Sequence, residues 1–289
     1  MLFSRSTDGG RSWKNPRPIN NIEAVAPAEL VIFRQGAQII VLPDGTLVNA
    51  FFRVLLNQAT FQFFLEQAIF RSSDQGRHWE KADQRVSEFA PAGAIDFELG
   101  VPVRDASLIP DIAVNSTTGE LYIVWQDSRF NNGLVGAVIS RSADGGSTWS
   151  EPIAVNTLSG VQAFLPAVDV AEDGTVGVLF YDFRNDVLGD AELSTDVHLA
   201  RFNPALATRD EVQVTSQSFD MRQMVITGPR GYFPGDYVGL DNAGNDFVAA
   251  YTAANNLGLP VDFPQDNSVL SLDTDNRQDI IFARIPASP

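Results

Sequence analysis

The chain has 289 residues, with 20 Lys plus Arg against 36 Asp plus Glu, a formal charge of −16 and no cysteine. That charge argues against nucleic acid or an anionic membrane as a partner, and the lack of thiols excludes disulfides, thiolate metal sites and a cysteine nucleophile. With 20 Phe, 22 Gly and 16 Pro, no sustained helical periodicity and no membrane-spanning apolar run, residues 1–289 read as a single all-β domain without membrane insertion. No signal peptide is visible, but Met1-Leu2-Phe3 already reads as the middle of a strand, so its absence says nothing about compartment.

In chain order, Leu2 to Arg5 is a strand ending in arginine, followed by Ser6-Thr7-Asp8-Gly9-Gly10-Arg11-Ser12-Trp13. A hairpin from Gln38 to Arg53 turns at Asp44-Gly45. Then a strand from Ala68 to Arg71 leads into Ser72-Ser73-Asp74-Gln75-Gly76-Arg77-His78-Trp79. The order repeats: a hairpin from Ala106 to Arg129 around Thr118-Gly119, a strand Ala137 to Arg141, and Ser142-Ala143-Asp144-Gly145-Gly146-Ser147-Thr148-Trp149. Two further hairpins, Ala167 to Arg184 and Asp236 to Asn256, precede strands Val197 to Arg201 and Ile280 to Arg284.

The eight-residue pattern is turn chemistry: its Asp accepts backbone N–H bonds and its Gly supplies positive φ. Asp8, Asp74 and Asp144 are the expected turn acceptors. Trp13, Trp79 and Trp149 are the plugs expected to pack each turn onto its own sheet while their N–H groups find carbonyls. Recurrence every 66 to 70 residues marks a repeated supersecondary unit.

These three copies resemble the Asp-box, or bacterial neuraminidase repeat, of the sialidase superfamily. The resemblance implies a β-propeller of five to six blades, each of four antiparallel strands, with the box between the third and fourth strands. On that frame the units are a partial blade at 1–20, then 36–90, 105–156, 163–215 and 235–286. The first unit lacks its two leading strands, so the chain is expected to be truncated at its N-terminus. The resemblance further implies a secreted or periplasmic protein, a glycan substrate, and a monomer if the ring is complete. The same motif occurs in propellers that bind glycan or protein without turnover.

In such a blade the boxes and Gly turns share one face. The longer segments share the other: Val54 to Glu66, Phe130 to Val135, Asn185 to Thr195 and Leu257 to Gln278 between strands, Lys81 to Arg104 and Gln213 to Gly235 between blades. Trp125-Gln126-Asp127-Ser128-Arg129 and Tyr181-Asp182-Phe183-Arg184, with Phe51-Phe52-Arg53 as a copy lacking the Asp, open onto that face. Arg53, Arg129 and Arg184, with Arg104 nearby, are therefore candidates to fork onto a substrate carboxylate, as the arginine triad of sialidases does. The competing reading pairs each arginine with the Asp two residues before it, which leaves Arg53 least explained.

The starts of first strands lie nearest the axis, at Arg104-Asp105, Phe164-Leu165-Pro166 and Gly235-Asp236-Tyr237. The resemblance implies a Tyr nucleophile and an Asp acid/base, assigned to Tyr237 and to Asp105 or Asp236, with Glu98 as the carboxylate activating the phenol. The family's Phe-Arg-Ile-Pro signature is absent from its place; Ala283-Arg284-Ile285-Pro286 imitates it at a repeat arginine. His78 and His198 stand too far apart in the repeat for a triad or zinc site. No cofactor is expected. Asp262, Asp266, Asp273, Asp275 and Asp279 could offer calcium oxygen ligands or form a solvated acidic loop.

Overall fold

The computed structural model describes residues 1–19, 30–254 and 278–286, and these are all-β. β1 (Leu2–Phe3) pairs with β2 (Arg17–Pro18). β3 (Leu30–Val41), β4 (Leu47–Asn57), β5 (Gln62–Ser72) and β6 (Gln84–Glu88) form a first four-stranded antiparallel sheet in that order. A short hairpin of β7 (Ile95–Asp96) and β8 (Val101–Pro102) follows. The second sheet contains β9 (Asp111–Val114), β10 (Leu121–Gln126), β11 (Ala137–Ser142) and β12 (Ile153–Ala154). The third contains β13 (Ala163–Val170), β14 (Val176–Asp182), β15 (Ser194–Phe202) and β16 (Arg209–Gln213), with β17 (Phe219–Asp220) on the far end of β15. The last has three described strands, β18 (Gly239–Ala243), β19 (Asp246–Ala254) and β20 (Gln278–Pro286).

Alternation along β10 and β14 explains why these two strands are buried on both sides. In β10, Leu121, Ile123 and Trp125 pack with Val48, Ala50, Phe52 and Ile69 of the first sheet, while Tyr122 and Val124 pack with Val176, Val178 and Phe180 of the third. In β14 the opposite set, Leu179 and Tyr181, meets Phe247, Ala249 and Tyr251 of the last sheet. Each middle sheet thus presents one parity of side chains to the sheet before it and the other to the sheet after it. The first strands also follow one another, β3 against β9, β9 against β13 and β13 against β18.

The three eight-residue turns have nearly superposable hydrogen bonds. Ser6, Ser72 and Ser142 each accept from the backbone N–H of Gly10, Gly76 and Gly146 at 2.8 Å, and Asp8, Asp74 and Asp144 accept from residues 12, 78 and 148 at 2.8–2.9 Å. These bonds pull the Asp8 and Asp144 carboxyls down to about 2 and hold Asp74 lower still.

Two expectations are corrected here. The turns lock onto the preceding sheet rather than only their own: a Cβ on Gly76 would stand 2.6 Å from Phe3, and one on Gly146 would stand 2.5 Å from Ile69. Arg5 and Arg71, the arginines that end third strands, donate to the Gln75 and Gly145 carbonyls of the next turn at 2.9 and 3.1 Å. The indoles also differ from expectation. Trp79 stacks edge-on against Phe3 and Phe70, but the N–H groups of Trp79 and Trp149 meet no acceptor among the described residues. Trp13, whose sheet has two short strands among the described residues, is 64% exposed.

The stretch from Val54 to Glu66 is also not a loop. β4 and β5 continue through it in register, Val54 opposite Leu65, Leu55 opposite Phe64 and Leu56 opposite Phe63. Branched and aromatic residues on both strands make these cross-strand pairs favourable, and only Gln58 to Phe61 turn the chain.

Candidate active site

The first strand of each four-stranded sheet, and of the last sheet, is distorted within its length or just before it. β3 shifts register between Gln35 and Gln38, with Gly36 at φ +74°, and β13 shifts between Phe164 and Ala167, with Leu165 at +52°. Ala106 before β9 stands at +50° and Gly235 before β18 at +116°. A left-handed Ala or Leu costs about 1 kcal/mol, strain that accumulates at sites where backbone must be re-aimed. The four distortions surround a cavity of about 450 Å³ whose walls include Gln38, Asp105, Asp111, Pro166, Asp236 and Tyr237. Asp105, Asp236 and Tyr237, assigned from strand position and the sialidase resemblance, are therefore brought to one place.

Their environments differ. Asp105 is 3% exposed and accepts from the Ala94 N–H and from Gln126 Nε2, both at 2.9 Å. No cation among the described residues pairs with it, and burial pushes its carboxyl up to about 6. Gln126 is held in turn by the Leu165 N–H, which donates to its Oε1 at 2.9 Å. Asp111 is half-buried, accepting from Gln38 Nε2 and the Val168 N–H, and desolvation raises its carboxyl. Asp236 instead receives a two-pronged bond from Arg104, 3.0 Å from Nε and 2.7 Å from Nη2, while the guanidinium lies 4.3 Å over the Phe233 ring. Tyr237 is 71% exposed at the mouth, and its hydroxyl makes no hydrogen bond to a described residue.

Glu98 lies elsewhere. It accepts from Arg222 Nη2 at 2.6 Å beside Asp96, whose carboxylate Arg222 also holds at 2.8 Å, and it does not reach Tyr237. Arg129 is bonded to Asp127 at 2.6–3.0 Å and Arg184 to Asp182 at 2.7 Å through Nε, so both follow the local pairing with the Asp two residues before. Arg184 also contacts Glu211. Arg53 has acids that its own segment did not reveal: Glu66, its direct cross-strand partner, at 2.6 Å, and Asp83 at 3.1 Å. None of Arg53, Arg129 and Arg184 lines this cavity.

The two histidines stay apart. His78 bonds to Asp74 within its turn, whereas His198 is buried near Asp182 and held down at about 4 by burial and by Arg184. Among the described residues no group of three or more His, Asp and Glu is placed to hold a metal ion. Asp262, Asp266, Asp273 and Asp275 lie outside the described residues, and Asp279 sits on β20.

The residues that sequence reading missed are Gln126, Asp111 and Arg230. Gln126 stands inside the aromatic-Asp-Arg signature, between the residues that drew attention. Arg230 lies in a 3-10 turn at Gly228–Arg230 and lines a recess adjoining the cavity. Only its position beside Arg104 distinguishes it.

No family model and no curated protein matches the chain. Among solved structures, it is similar in fold to a protein of unknown function from Dyadobacter fermentans, with a TM-score of 0.51 and 15% identity over 99% of this chain and 63% of that one. A Hadza microbial sialidase aligns with a TM-score of 0.47 and 14% identity, over 75% of this chain and 42% of that one. An α-L-arabinofuranosidase from Fusarium graminearum aligns with a TM-score of 0.47 and 13% identity, over 99% and 85%. The chain thus spans under two thirds of the length of the first two.

Proposed function

We propose that this chain is a sialidase-like β-propeller glycoside hydrolase acting on a glycan in the axial cavity. The observation that carries the reading is Asp105: a buried carboxyl with only neutral donors, its pKa near 6, lining a cavity shared with a second carboxylate on a guanidinium. Two acids in contrasting environments are what glycosidic cleavage requires, one to give a proton and one to remain charged. Asp105 is the proton donor to the leaving oxygen, kept in rotamer by Gln126. Asp236, facing Arg104, is the charged partner at the anomeric centre, and Tyr237 at the mouth is the phenol available for attack from the same loop. Arg53, Arg129 and Arg184 hold acids of their own, and Arg104, in the adjoining recess and itself bonded to Asp236, is the candidate that remains for a substrate carboxylate.

The contacts of β3 with β9, β9 with β13 and β13 with β18 support the propeller reading, in which successive sheets are its blades. A panel of 4-methylumbelliferyl glycosides that includes the sialoside, run with Asp105→Asn and Tyr237→Phe, tests the activity. Turnover by the parent chain that Asp105→Asn abolishes supports hydrolysis. The second reading, a propeller that binds glycan without turnover, is favoured by the engagement of all three loop-face arginines; it predicts no turnover of any glycoside alongside retained glycan binding.

A further inference from the structure

Asp105 lines two hollows at once. One is the cavity described above, and the other is a recess of about 640 Å³ that shares Asp105, Ala106 and Asp236 with it. A general acid serves the bond between a sugar and its leaving group, so with the sugar in the cavity the leaving group lies on the recess side of Asp105. The recess is lined by Phe52, Pro102, Val103, Leu108 and Ile109. Of its charged residues, Arg104 and Asp236 pair with each other at 2.7 Å, and Asp105 is held by the Ala94 N–H and Gln126.

The apolar lining continues beyond the recess. Phe52 shares a face of β4 with Val54 and Leu56, because side chains two residues apart point the same way. Cross-strand pairing sets Phe33 and Leu65 beside Val54, and Val31 and Phe63 beside Leu56. Val54 and Leu65 pack with Phe52, Leu108 and Ile109, which joins this face to the recess. β6 does not reach the outer rows, its pairing with β5 ending at Glu66 and Glu88. Phe33 is therefore 58% and Phe63 63% exposed. Residues 54–65 carry no charge, in a chain whose net charge is −16. An apolar surface of this kind marks a binding site, and its continuity with the wall at Asp105 says what it binds.

We infer that the recess and the β3–β5 face beyond it hold an apolar, lipid-like leaving group, so that the substrate is an amphiphilic glycoside with its sugar in the cavity and its alkyl body along this track. This deepens the glycoside hydrolase reading and rests on it for the place of the scissile bond. S-linked methyl, butyl and octyl sialosides and glucosides resist hydrolysis, and their binding below micellar concentrations is measured by ligand-observed NMR on the full chain. A fully buried methylene contributes about fourfold in affinity, so in at least one series octyl is expected to bind at least about tenfold tighter than methyl. Leu108→Gln in the recess, and Phe33→Ser combined with Phe63→Ser on the outer rows, are expected to flatten that series, with thermal melts checking that the exposed pair leaves the fold intact. Two flat series in the parent, or a full slope retained by both variants, overturns the inference. So does light scattering that shows the phenylalanine pair changing the oligomeric state while the slope stays, since the face then serves a second copy of the chain. The hydrolase reading fails separately. No turnover of any 4-methylumbelliferyl glycoside, with the variant-sensitive slope intact, sinks catalysis and leaves the track as a binding site, whereas Asp105-dependent turnover with flat series sinks the track alone.

Discussion

Asp105→Asn separates the energetic and the chemical consequences of burying a carboxyl. In the native state burial raises the group from its ordinary 3.8 to about 6, so at neutral pH ionising it opposes folding by about 3 kcal/mol. The sign follows from proton counting. Between about pH 4 and pH 6 the native chain binds this proton more than the unfolded chain does, so stability falls as pH rises through that window. Asparagine preserves the shape and an acceptor for the Ala94 N–H and Gln126 but carries no proton to lose. The stability of the variant relative to the parent should therefore improve by about 3 kcal/mol from about pH 4 to about pH 7, with nearly all of the change complete above pH 6. Urea unfolding followed by tryptophan fluorescence across that range measures the difference. Turnover should meanwhile fall by about 10²-fold or more, as expected for loss of a general acid. A stability difference that stays constant with pH would refute the electrostatic reasoning, whatever the effect on activity.

The remaining predictions concern packing and pairing. Arg129→Gln should leave Asp127, which is fully buried, without its cation and cost about 3 kcal/mol in urea unfolding, while changing KM by less than about twofold. Arg104→Gln should do the opposite, raising KM for any acidic substrate with a smaller loss of stability, because its ion pair is partly exposed. Phe247→Ala should cost about 3–5 kcal/mol, since the ring is fully buried between the third and last sheets and presses on Gly177; a smaller loss would show that these two sheets do not pack as described. Gly231→Ala should disrupt the recess by backbone collision with Pro102, read as raised hydrogen exchange at Tyr232 and Arg104.

The sequence by itself determined the all-β class and the repeated turns, and it placed Asp105, Asp236 and Tyr237 just before the first strands of their sheets. Each of these rests on local chemistry repeated along the chain: Ser and Asp acceptors, positive-φ glycines and strand-period apolar residues act within a few positions of one another. Only the tertiary structure decided what those residues touch. Arg53 looked unpaired because Glu66 and Asp83 lie 13 and 30 residues away and meet it across strands. The tryptophan-closed turns read as plugs for their own sheets because the contact with Phe3 or Ile69 of the preceding sheet has no local signature. The raised carboxyl of Asp105 is likewise a product of burial and of partners from distant segments, and charge environment is a property of the assembled site rather than of the chain.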